Sequence, residues 1–187
     1  MSRPRRIATT EGASWLPPGS DAEVWVGPLD EPPMPTIIVR LLLVRAEGDG
    51  PSTFFTVPTP RGPDLPTRRL PDDSGREGVR DAVLRLTHEV LGRVGAAPRC
   101  VGFVRNVVRQ PDAAYPHPTP WAHVPVFALD AAEAGGEPVV DGRWLDLDTA
   151  RPAVAARHWW PIARHLIGGR DTAAGADEAQ PPKSCVQ

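Results

Sequence analysis

Two periodicities divide this chain. Over residues 77–92, EGVRDAVLRLTHEVLG, apolar positions recur every three or four residues, so that at about 100° per residue Val79, Val83, Leu86 and Val90 form one narrow stripe. Leu84, Thr87 and Leu91 form a second stripe beside it, and Glu77, Asp81, Arg85, His88 and Glu89 fill the remaining arc. Asp81, Arg85 and Glu89 are each one turn apart, which permits i,i+4 pairing, with Arg85 and Glu89 as the expected partners. The spacing predicts a helix over 77–91, stopped by a left-handed cap at Gly92 or Gly95. Residues 36–45, TIIVRLLLVR, are instead β-branched and aliphatic with no polar alternation, the pattern of a central strand covered on both faces. Further strands are predicted over 22–26, 52–57, 99–109, 121–130 and 142–147. Val101, Phe103 and Val107 should face inward, and Trp121, His123, Pro125 and Phe127 should share one face.

Breakers set the connections. Gly27-Pro28 ends the first strand, and Pro32, Pro33 and Pro35 make 30–35 a loop. Residues 110–120, QPDAAYPHPTP, form a proline-rich loop carrying Tyr115 and His117, and 131–140 reads as a surface loop. Asp148-Thr149 marks a helix start, and a last helix within 159–167 has Pro161 in its first turn and Gly168-Gly169 as its stop. Residues 1–20 read as a flexible N-terminal segment, 21–168 as one domain and 169–187 as a disordered tail.

Composition narrows the function classes. The 187 residues fit a single domain, and 24 prolines with 17 glycines predict long irregular connections. A formal charge of −2 leaves no electrostatic footprint for nucleic acid or an anionic membrane surface. Lys183 is the sole lysine among abundant arginine, alanine, proline and glycine, a codon bias pointing to a GC-rich bacterial genome. Cys100 and Cys185 make no disulfide framework, the N-terminus lacks the apolar core of a secretory signal, and the apolar run 37–44 is broken by Arg40. That run is far shorter than the ~20 residues of a membrane span, so a soluble, unanchored, cytoplasmic protein is expected. Trp15 and Trp25 near the N-terminus hold more apolar surface than a mobile arm needs, from which a homodimer is expected.

The residue order over 71–93 resembles the box of the Nudix hydrolase family, Gly-x5-Glu-x7-Arg-Glu-U-x-Glu-Glu-x-Gly-U, where U is aliphatic. Glu77, Arg85, Glu89 and Gly92 fall in register, and Ala82 stands where the family has a small residue. Pro71, Leu86, Thr87, Val90 and Arg93 depart from the pattern. Leu65-Pro66-Thr67-Arg68 is similar to the family's Leu-Pro-Gly-Gly segment, with Thr67 and Arg68 in place of the glycines, and GRWLDL before the last helix resembles the family again. The resemblance implies an α+β fold, an αβα sandwich with a mixed β-sheet between helices in a single domain. It also implies hydrolysis of nucleoside-diphosphate-linked or other diphosphate small molecules with Mg2+, Glu89 matching a metal ligand, Arg85 the residue orienting the glutamates and Glu77 the start of the box helix.

Magnesium takes oxygen ligands, and Leu86 and Val90 remove two of them. Asp72, Asp73, Asp81 and His88 are the candidate replacements. The aliphatic wall of Leu86 and Val90, with Arg68, His117, Trp121 and His123, would suit a flat apolar or aromatic ligand, and the two histidines could transfer protons near neutral pH. Two readings therefore stand: a Nudix-type hydrolase with altered metal ligation, and a repurposed Nudix-fold binding or regulatory module, or non-hydrolytic enzyme, with an apolar pocket.

Overall fold

The computed structural model describes residues 3–46, 50–71, 74–93 and 97–177. Eight strands form one mixed sheet. They are β1 (Arg5–Thr10), β2 (Asp21–Leu29), β3 (Ile38–Arg45), β4 (Thr53–Thr56), β5 (Thr67–Arg69), β6 (Arg99–Val107), β7 (Trp121–Asp130) and β8 (Arg143–Leu145). The order across the sheet is β1-β2-β6-β7-β3-β4-β8, with β5 also paired to β3. Only β3 and β7 run parallel; the other pairs are antiparallel.

The centre of the sheet explains the unbroken apolar sequence of β3. Val39, Leu41 and Leu43 point to one core, where they meet Val79, Val83, Leu86 and Val90 of helix α1 (Arg76–Leu91). Leu42 and Val44 point to the other, with Trp159 and with Ile162 and Ile167 of α4 (Trp160–Asp177). Helices α2 (Ala131–Ala134) and α3 (Leu147–Val154) complete the two layers. Both cores are apolar, with Phe54, Trp159 and Trp160 among aliphatic side chains in one and Phe55 and Phe127 in the other, so burial on each face, at roughly 25 cal/mol per Å2 of apolar surface, drives the sandwich. Gly102 on β6 is required by close approach: a Cβ there would lie 2.5 Å from the Trp25 carbonyl oxygen and 3.2 Å from Ile162.

The expected mixed sheet between helices is observed, and several boundaries differ. Residues 1–20, expected to be flexible, contain β1, which pairs antiparallel with β2 and lays Ile7 and Ala8 against the core. Its backbone hydrogen bonds need no apolar side-chain pattern, so composition hid it. The first strand runs through Gly27-Pro28 to Leu29, past a register shift after Val26. Within 131–140, Asp130 caps the short helix α2 through the Ala132 N–H. Asp146, not Asp148, caps α3, accepting from the N–H groups of Asp148 and Thr149. Gly168-Gly169 does not stop the last helix, which continues to Asp177 inside the segment expected to be disordered. The rest of that tail, with Asp72, Asp73 and the 48–49 turn, lies outside the described residues.

Candidate functional site

Helix α1 forms where its pattern predicts. Gly75 precedes it, Glu77 complements the dipole in the first turn, and Gly92 takes φ 69° at the C-cap, its N–H donating to the His88 carbonyl at 2.8 Å. The helix settles its apolar stripe onto β3, and this fixes the fate of the box positions. Leu86 and Val90 are 5% and 3% exposed, inside the core. Neither is among the residues that line the groove beside Glu89. Glu89 emerges on the flank of α1 facing β5, where Arg68 Nη1 donates to its Oε1 at 2.5 Å. Arg68 is held there by β5 pairing with β3, opposite Val39.

Arg85 does not pair with Glu89. Its Nε donates to Asp81 Oδ2 at 2.7 Å. An acid one turn N-terminal to a base is the favoured order on a helix, and Glu89 has a cross-element partner instead. Arg68, Leu84, Arg85, His88 and Glu89 line a groove of about 370 Å3. Glu77 is exposed about three turns away and takes no part in it.

These residues do not fit magnesium. One carboxylate remains of the three glutamate positions after the box arginine, and it is in contact with a guanidinium; the other two positions are buried aliphatics, and Glu77 is about three turns away. Among the described residues no group of three or more His, Cys, Asp or Glu is gathered to hold a metal ion.

The other expected ligand residues sit at the start of β7 and the loop before it, and do not line this groove. His123 is 5% exposed; its Nδ1–H donates to the Pro35 carbonyl at 3.0 Å and its ring meets Phe103 edge-on at 5.5 Å. Burial pushes its pKa down, against the opposing pull of the Pro35 carbonyl, so it is a neutral strut tying the 33–36 segment to β7. Tyr115 and His117 stack edge to face at 5.6 Å. Trp121 is 50% exposed, with the Arg105 guanidinium 5.5 Å from its ring centre; Arg105 also covers Trp25 at 4.8 Å and donates to Glu23.

Two features were not foreseen. A cavity of about 500 Å3 opens between α1, the 28–32 segment and the start of β6, lined mainly by Leu29, Pro32, Val83, Leu84, Cys100 and Phe127 with Arg80 and Arg99 among its polar residues. Burial pushes the Cys100 thiol up to about 12, so it packs as an apolar group. The second is a buried cluster on the α4 side. Asp64 accepts from Arg40 Nη1 at 2.6 Å and Trp159 Nε1 at 2.7 Å, and Arg157 lies 3.2 Å away. Its signal in the sequence was Arg40, the charge interrupting β3.

No family model matches the chain and no curated protein matches it. Solved structures do. A Listeria monocytogenes protein provisionally assigned as a NUDIX hydrolase superposes with a TM-score of 0.52 at 10% identity, over 73% of this chain and 95% of that one. A C. elegans Ap4A hydrolase binary complex (TM-score 0.45, 11% identity, 75% and 97% covered) also matches. So does the NUDIX domain of Shewanella oneidensis NrtR complexed with ADP ribose (0.44, 17%, 69% and 86%). The first of these shows the fold: a Nudix-like mixed sheet between helices.

Proposed function

From the Nudix fold as premise, we propose that this chain binds a small molecule and does not carry out magnesium-dependent diphosphate hydrolysis. One observation carries the reading: of the three glutamate positions that follow the box arginine only Glu89 keeps its carboxylate, and Arg68 pairs with it, while Leu86 and Val90 face the core. A catalytic magnesium site gains several kcal/mol of transition-state stabilisation from the ion, and a single carboxylate already paired to arginine would hold that ion weakly. The apolar cavity beside α1 supports a ligand with a flat or aliphatic body, and the half-exposed Trp121 supports an aromatic contact elsewhere on the sheet. The proposal extends to a bacterial cytoplasmic protein working as a homodimer.

The test is a panel of nucleoside-diphosphate compounds with Mg2+, alongside aromatic fragments followed by amide shifts. Turnover should stay at the Glu89→Gln background. Fragment shifts should cluster at Val83, Cys100 and Phe127 and vanish in Ala97→Trp, which fills the cavity mouth from an exposed position. Robust Mg2+-dependent turnover lost in Glu89→Gln would establish the hydrolase instead.

A further inference from the structure

The 500 Å3 cavity lies on the flank of α1 turned away from Glu89, since Arg80, which borders it, and Glu89 fall on opposite sides of the helix axis. It opens at the end of the β6–β7 pair remote from Trp121. Leu29, Val83 and Phe127 form its apolar walls, and Leu84 extends them to the mouth, where its side chain is 47% exposed. The Cys100 thiol beside them is engaged with the Gly102 carbonyl on its own strand, at 3.7 Å. A ligand body against these walls meets no free side-chain hydrogen-bond partner. A nucleobase would have to bury the donors and acceptors of its edges unpaired, at a cost that an apolar body does not incur.

The charges lie at the rim. Arg80, Arg99 and Asp30 border the cavity, and all three are exposed. Among the described residues the side chains of Arg99 and Asp30 make no hydrogen bond or ion pair. Arg80 is held loosely: its Nη2 is 3.6 Å from Glu31 Oε1, and the other oxygen of Glu31 is in contact with Arg76. Three guanidiniums thus face two carboxylates around this mouth, and Arg99 is the guanidinium without a partner.

We propose that the cavity takes an amphipathic monocarboxylate, its apolar body against Val83, Leu84 and Phe127 and its carboxylate on Arg99 at the rim. The inference rests on the small-molecule reading of the same cavity and names the class of ligand. The volume lies within the roughly 300–1,000 Å3 of small-ligand sites. A guanidinium offers its N–H donors in a planar fork that matches a carboxylate with two parallel hydrogen bonds. A single negative charge fits the single surplus guanidinium, whereas a phosphate or diphosphate head would bring further negative charge beside Asp30.

The test uses three probes with one chain and different heads: sodium octanoate, 1-octanol and octylammonium chloride. Each is titrated into the whole labelled protein at neutral pH and constant ionic strength and followed by amide shifts, with melting temperature recorded for each variant. Octanoate should shift Val83, Arg99, Cys100 and Phe127 saturably, and octylammonium should bind more weakly. Arg99→Gln should weaken octanoate about fivefold, the upper end of what an exposed guanidinium–carboxylate pair supplies, and leave 1-octanol unchanged. Ala97→Trp should remove octanoate and 1-octanol alike, and both variants should melt near wild type. Octanoate binding unmoved by Arg99→Gln, or octylammonium binding as tightly as octanoate, would overturn the inference. In that case 1-octanol shifts at Val83 and Phe127 would leave the cavity reading standing, whereas no saturable shift from any of the three probes would defeat both.

Discussion

Leu86 and Glu89 lie three residues apart on α1 and inhabit opposite environments, one 5% exposed in the core and the other on the flank with Arg68. Their variants should differ accordingly. Leu86→Ala leaves a cavity and should cost about 2–5 kcal/mol, while Glu89→Gln breaks an exposed pair and should cost under about 1 kcal/mol, both read from urea denaturation. A second residue-scale expectation concerns His158, whose pKa falls from 6.5 to about 4, first through burial and then through the charge of Arg40. Above about pH 6.5 the folded and unfolded forms are both neutral there, so nothing is lost. Between 6.5 and about 4 the unfolded chain takes up the proton first, so stability falls as pH drops through that window. His158→Phe should flatten that part of the stability–pH curve; an unchanged slope would assign it to other groups. At this scale the sequence was legible where a residue acts alone. It was not where identity depends on a distant partner: the expected pair was Arg85 with Glu89, but the pairing was decided by Arg68 on strand β5.

Elements were legible in proportion to how much apolar surface they bury. Helix α1 and strand β3 carry their burial in their own periodicity, and both lie within a residue or two of where it puts them. Strand β1 is stabilised by the edge it completes, and its residues are mostly exposed, so no hydrophobic pattern announced it. The glycine pair at 168–169, expected to stop the last helix, lies inside α4, whose packed part is Trp160, Ile162, Ala163 and Ile167; the ~1 kcal/mol by which each glycine weakens a helix does not end it there. Gly92 is a glycine that conformation does require. With φ 69°, and Val139 3.1 Å from where a Cβ would stand, Gly92→Ala should destabilise by at least about 1 kcal/mol, measurable as a lower melting temperature. An unchanged melting temperature would mean that the cap and the Val139 contact relax freely.

At the scale of the whole molecule, a mixed sheet between helix layers followed from the sequence because the alternation of strands and helices admits few packings. The site did not, because the box resembles one chemistry while its folded neighbours support another. Two surfaces bear on assembly: Trp15 is 43% exposed and Trp121 50% exposed, and covering such rings is what a homodimer would do. Light scattering at high micromolar concentration should give twice the 20.2 kDa chain mass; a monomer mass would remove the dimer from the proposal. No helix among the described residues is long and apolar enough to cross a membrane.

The central claim is that Arg68 and Glu89 neutralise each other where a metal would otherwise sit. Paramagnetic broadening of amide signals by Mn2+, added at equimolar ratio to the labelled protein, tests it most directly. Signals of Arg68 and of Leu86 to Val90 should remain sharp in wild type. Selective broadening centred on Glu89 and Arg68 would show a bound divalent ion and contradict the account.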